Sequence, residues 1–202
     1  MSKAELLKAL AAELEYLKAI GVDYIRLPSK EQRQLSERIR ECRRCASLFE
    51  PEPVELPCKK GVKVVFVVAT PEDRKNLFSP EEEELMKKII KAMELSEEDH
   101  HITALVRCAA GRKEFEATFS ECIEYFEEEL STLNPLAIVT IGELPLRVLT
   151  GECEPPERVT GRFYQYRGIR LMPVVHPEEL LEKEELKRDC WMALKKVMAL
   201  YR

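Results

Sequence analysis

Four cysteines stand at spacings that suit metal binding. Cys42 and Cys45 form a C-x2-C pair, while Cys108 and Cys122 lie far downstream, flanking a strand-to-helix passage. Thiolates in this pattern suit an iron–sulfur cluster or a structural zinc, provided the fold carries the remote pair to the near one. Cys58, Cys153 and Cys190 complete the seven and read as small apolar fillers or incidental thiols. His176 is the other side chain with chemistry in reach, an imidazole directly after the apolar run LMPVV and before Pro177. Taken alone, it reads equally well as a satisfied histidine at a strand end.

Composition bounds what these groups can serve. A chain of 202 residues suggests about one domain with an added helical piece. The expected division is a helical segment over 1–48, ending in the C-x2-C pair, and an α/β body over 49–202. With 45% hydrophobic and 34% charged residues, the chain is ordinary globular material. A net charge of -5 argues against a non-specific polyanion binder. No apolar run approaches the roughly 20 residues of a membrane span. The N-terminus alternates charge with leucine and reads as an amphipathic helix, not a signal peptide. Cysteines without a secretion signal point to a reducing cytoplasm, and to metal or redox use over disulfides. Nothing in the sequence speaks to oligomeric state.

The elements that must position these groups follow from periodicity. Ser2 can cap a helix to about Ile20, with Gly21 as its stop. A second helix opens at Ser29 with a capping box to Gln32 and delivers Cys42 and Cys45 at its end. The segment Phe49–Gly61 reads as a loop. Four strands are predicted: Lys63–Ala69, Ile102–Arg107, Leu136–Ile141 and Arg170–Val175. Pro173 is tolerable in the last only near an edge or a bulge. Helices are predicted from Ser79 to about Leu95, over Glu116–Leu133, over Glu143–Thr150 and over about Lys183–Tyr201. Ser79-Pro80-Glu81-Glu82 is a strong helix start: a cap, a proline at the first position, then acids against the dipole. Alternation of strand and helix predicts a three-layer α/β/α fold with a four-stranded parallel sheet. In such sheets the crevice lies beyond the carboxyl ends of the strands. That places Ala69 to Asp73, Arg107-Cys108, Gly142-Glu143 and His176-Pro177 around one rim.

The order of these motifs resembles the iron–sulfur (family 4) uracil-DNA glycosylases over about Cys42 to Tyr201. Cys42-Arg43-Arg44-Cys45 matches the family's opening C-x2-C. Val68-Ala69-Thr70-Pro71-Glu72 stands where the family has a strand ending in GE-A/G-PG. Leu77-Phe78-Ser79 stands at its PF loop, Ile102 to Cys108 at ITN-V-V-KC, and Glu121-Cys122 at its E-C pair. Pro135 to Gly142 matches P-x-x-I-V-x-x-G. Arg167-Gly168, Met172-Pro173, His176-Pro177 and Leu180-Leu181 match RG…MP-x-x-HP-x-x-LL.

The resemblance implies a uracil-DNA glycosylase-like fold, a role in base-excision DNA repair, and DNA as partner. It also implies a [4Fe–4S] cluster on Cys42, Cys45, Cys108 and Cys122, with zinc as the alternative. By the same resemblance, His176 would stabilise the leaving base as an oxyanion-hole-type donor. Phe78 would stack on the base, and Ala69, Thr70, Pro71 and Ala104 would line its pocket. Three departures count against hydrolysis of uracil. The family's motif carboxylate is Ala69, which can neither take a proton nor orient water. The asparagine that reads uracil is Ala104, so the discriminating hydrogen bonds are gone. Glu178, Glu179 and Glu182 occupy the loop expected to face DNA, where they would repel phosphate. Glu72 or Asp73 could stand in for the lost carboxylate. Arg158, Arg162, Arg167 and Arg170, interleaved with Phe163, Tyr164 and Tyr166, make a candidate nucleic-acid strip, with Arg162 and Arg167 as the contacts. The same stretch reads equally as a hairpin with a solvated face. Three readings stay open: a divergent glycosylase, a catalytically silent module binding nucleic acid, nucleotide or protein, and a redox-responsive cluster protein.

Overall fold

A computed structural model describes residues 30–45, 61–73, 75–108 and 112–202, with positions 8, 53 and 59 besides. The predicted helix from Ser2 to Ile20, and most of the Phe49–Gly61 loop with Cys58, lie outside the described residues. Helix α1 runs Lys30–Arg40 and ends just before Cys42 and Cys45. The body follows as β1 (Val64–Val68), α2 (Pro80–Ala92), β2 (His100–Ala104), α3 (Arg112–Leu133), β3 (Ala137–Ile141) and α4 (Glu143–Thr150). It closes with α5 (Pro156–Val159), β4 (Tyr164–Tyr166), β5 (Ile169–Val174), α6 (Pro177–Glu182) and α7 (Glu185–Met198).

The sheet order is β2-β1-β3-β5-β4. Four strands run parallel, as the continuous Val/Ile runs imply, and the fifth, β4, pairs antiparallel with β5. The sequence reading of four strands therefore misses one. Strand β4 is only three residues long and half-exposed, so it carries no apolar run to betray it. A two-residue turn makes the hairpin: Arg167 and Gly168 have φ of 48° and 82°, the paired positive values of a type I′ turn. Pro173 pairs with Thr140 on its β3 side, while β4 reaches only Leu171 on the other. Its missing N–H therefore faces a locally open edge.

Alternate residues feed two cores. Val64, Phe66 and Val68 join Ala137, Val139, Met172 and Val174 under α2 and α7. Val65 and Val67 join Ile138 and Leu171 under α3 and α4, against Phe115, Phe126, Leu130 and Leu146. Period-two alternation on strands buried on both faces gives the three layers. Helix α1 sits outside them, on a small third cluster of Leu35, Ile39 and Tyr125 that Cys42 joins. Salt bridges from Arg38 to Glu128 (2.7 Å) and Arg44 to Glu124 (2.9 Å) flank it. Among the described residues, no helix is long and apolar enough to cross a membrane.

Two boundaries differ from expectation near the site. Strand β2 ends at Ala104, because β1 ends at Val68; Leu105 and Val106 still donate to Val68 and Ala69 carbonyls at 3.0 and 2.9 Å. The Glu178–Glu182 stretch, expected as a loop, is the helix α6. Pro177 at its first turn and His176 at its cap start it.

Candidate functional site

The chain goes from β1 to β2 on one side and, after β2, to β3 on the other. A switch point therefore opens between β1 and β3 at their carboxyl ends. Ala69 and Thr70 are half-buried there, and Pro71 and Ala104 are buried. Gly142 ends β3 with φ 83° and ψ −178°, a conformation open essentially to glycine. A Cβ at this position would stand 3.6 Å from Cδ2 of His176, so the backbone passes close to the imidazole. Phe78 lies 6.3 Å from His176 between ring centroids, tilted 49°, but is only 4% exposed and packs in the core.

A carboxylate meets His176 from an unexpected direction. Glu82 stands one turn into α2 and is 6% exposed. Its Oε2 accepts the Ser79 N–H at 2.8 Å, and Ser79 Oγ accepts the Glu82 N–H at 3.4 Å, which makes a capping box of the helix start read from the sequence. Its Oε1 lies 3.2 Å from His176 Nδ1. The Glu178 N–H also approaches Nδ1, at 3.4 Å. Ligand atoms of Glu82, His176 and Glu178 all lie within 4.8 Å of one another. Sequence reasoning took Glu82 for a helix-start acid and no more. The signal it missed is that the cap belongs to a helix beginning at the rim. The substitutes considered from sequence fare differently. Asp73 accepts from the Lys75 and Asn76 N–H groups at 2.6 and 2.8 Å, which holds its own loop and keeps its carboxyl below the usual range. Glu72 is exposed.

Three of the cysteines, Cys42, Cys45 and Cys122, lie close enough to influence one another. Cys45, Cys108 and Cys122 are buried, Cys42 is half-buried, and none of the four is in a disulfide. Burial pushes the Cys45 thiol up, and the nearby Cys122 and Cys42 push it further. Burial also raises Cys122, against a hydrogen bond from the Arg107 backbone N–H, the residue before Cys108. Cys108 itself bridges to Pro53. A hydrogen bond links Tyr125 to Cys42, and the Arg44 guanidinium stands 4.7 Å over the Tyr125 ring. Among the described residues, no three of these sulfurs fall within 4.8 Å of one another.

Behind the cysteines lies a buried ion network that sequence reasoning did not find. Glu129 accepts from Thr103 Oγ1 and Arg107 Nη2, both at 2.6 Å, and pairs with His101 Nε2 at 3.1 Å. Burial alone would raise the Glu129 carboxyl, but the Arg107 charge and the His101 hydrogen bond outweigh it and hold it to about 2. The network ties β2 and the Arg107 segment after it to α3, so it links the stretch leading to Cys108 with the helix that carries Cys122. Its sequence signal is a glutamate on the apolar stripe of α3, between Phe126 and Leu130.

The acidic helix and the arginine strip are less simple than their sequences. Glu178 and Glu182 are exposed, while Glu179 is half-buried. Burial and a hydrogen bond with Glu157 push the Glu179 carboxyl up. Arg162 is exposed. Arg167 is clasped by Glu127 of α3, with Nε and Nη2 to one oxygen at 3.0 and 2.5 Å. Arg170 lies 5.8 Å over Phe163.

A family model described as the uracil DNA glycosylase superfamily matches residues 57–195. Among curated proteins, a DNA polymerase of Bacillus phage SP01 is 22% identical over 142 residues, covering 67% of this chain. The match takes in 15% of that polymerase's length.

Proposed function

The chain belongs to the uracil-DNA glycosylase superfamily, and from that premise we propose that it is an iron–sulfur member acting on an altered base in DNA, by hydrolysis of the N-glycosidic bond. The carrying observation is that His176, at the β5 end of the crevice, is held by a buried carboxylate 3.2 Å away. A flipped nucleotide in that crevice would meet an imidazole able to act on the departing base. Uracil is the less favoured substrate, because Ala104 offers no amide to its edge. The likeness to part of a phage DNA polymerase supports a DNA setting and nothing finer.

Cys42, Cys45, Cys108 and Cys122 would hold a [4Fe–4S] cluster. The donor set fits: four thiols outside any disulfide, three of them buried. Bound there, the cluster would supply a structural tie between α1 and the body. Zinc remains the alternative occupant. Iron and sulfide assays on anaerobically purified protein separate the two; a colourless protein with stoichiometric zinc would overturn the cluster.

A silent binding module is the second reading. It is favoured by Ala69, by the exposed carboxylates of α6, and by the engagement of Arg167 with Glu127. The deciding experiment is an assay for abasic sites across several lesions in single- and double-stranded DNA. We expect product with at least one lesion, and a fall of about 100-fold or more in His176→Ala. No product at stoichiometric protein would sink the enzyme and leave the module. In that case, Arg162→Ala should weaken DNA binding.

A further inference from the structure

We propose that Glu82 is a positioning carboxylate that fixes the proton of His176 on Nδ1, making a carboxylate–imidazole dyad that replaces the carboxylate absent at Ala69. The geometry leaves little else. Oε1 of Glu82 is buried with His176 Nδ1 at 3.2 Å, and its sister oxygen is already committed to the Ser79 N–H. If Nδ1 instead accepted the Glu178 N–H, a carboxylate oxygen and a ring lone pair would face each other with no proton between them. On the Glu82 side, which is buried, that leaves an acceptor unmet, and such an acceptor is costly. The competing contact is the poorer one, at 3.4 Å. A proton on Nδ1 satisfies the carboxylate, and the Glu178 carboxylate close by adds to the pull on it.

The consequence falls on the far nitrogen. Nε2 of His176 has no hydrogen-bond partner among the described residues. With Nδ1 protonated, neutral His176 presents Nε2 as a lone pair, which is a base and not the donor that the family resemblance implies. In the glycosylase reading, on which this role rests, Nε2 takes a proton from water. The water oxygen bonds to the anomeric carbon of the sugar. The carbon–nitrogen bond breaks, and its electron pair stays on the base. The proton on Nε2 then passes to that base, so imidazole is regenerated and one water is consumed. Glu82 touches none of the reacting atoms; it sets the tautomer and stabilises the transient imidazolium.

The test is a long-range proton–nitrogen correlation spectrum of the nitrogen-15-labelled full chain, treated with chelator, with His176→Asn assigning the ring among the three histidines. We expect Nδ1–H in the wild type. Glu82→Gln keeps the cap, but its amide oxygen must then serve the Ser79 N–H, which turns the NH2 toward Nδ1. The ring should switch to Nε2–H, and turnover on any active lesion should fall about 100-fold. A wild-type ring with Nδ1 bare would overturn the dyad. So would a ring pattern that changes on adding or stripping a divalent cation, which would assign the three groups to metal. Full turnover in Glu82→Gln would overturn it too. If Nδ1–H is found and switches but no lesion is cut, the glycosylase reading falls while the dyad stands.

Discussion

At the scale of single residues, Glu129 does what no sequence pattern announces. Its carboxyl is held to about 2, below the ordinary value near 4.3. A lowered folded value means that its stabilisation is complete above the unfolded value and is lost as pH falls from about 4.3 towards 2. Glu129→Gln leaves the buried Arg107 charge uncompensated and should cost about 3–5 kcal/mol at neutral pH. Urea midpoints measured between pH 7 and 2 should converge for the two proteins at the acid end; parallel curves would mean that Glu129 is not the titrating group. The cysteines and His176 could be singled out as candidates because their residue types are chemically rare. Glu82 and Glu129 could not. A glutamate is common, and only three-dimensional company distinguishes a helix cap from a histidine partner, or a surface acid from a buried ion.

Among the elements, the strands and helices of the body were readable because apolar runs, caps and breakers agree with one another. Ser79 is the case that ties element to site. Ser79→Ala removes one side of the capping box and should cost about 1 kcal/mol, measured as a lowered melting temperature. It should also loosen Glu82, so that turnover falls by more than stability alone explains; unchanged turnover would separate the cap from the site. Gly142 makes the complementary prediction. Alanine there must adopt φ 83°, with its Cβ in contact with the imidazole at 3.6 Å. Gly142→Ala should therefore lose about 1–3 kcal/mol, together with activity, whereas Gly168→Ala, with nothing within 4 Å of its Cβ, should lose stability alone. Strand β4 was legible only through the hairpin alternative for the arginine-rich stretch, and α6 was expected as a loop. Each is too short to show a period: β4 is held by the hairpin turn, and α6 opens on Pro177 at its first turn.

For the whole molecule, the three-layer plan was legible, and the attachment of α1 was not. Among the described residues, its apolar anchorage is Leu35 and Ile39 on Tyr125, with Cys42 beside them. On the proposed reading, a cluster held by the four thiols adds to that anchorage. Removing the metal should raise hydrogen exchange across residues 30–45 well before it touches β1 or β3; uniform exchange across both regions would show that the centre supports the whole sheet. The margins of that sheet have a consequence for crowding. At one border stands β4, three residues long and backed by a tight turn. At the other, the Lys59 ammonium occupies the His100 carbonyl of β2 at 3.0 Å, and Pro53 bridges to Cys108 just beyond. Neither border offers a second copy a long, vacant ladder to extend. Concentrated native protein should therefore stay free of fibrillar growth, and any aggregation should begin from chains that have already lost these guards.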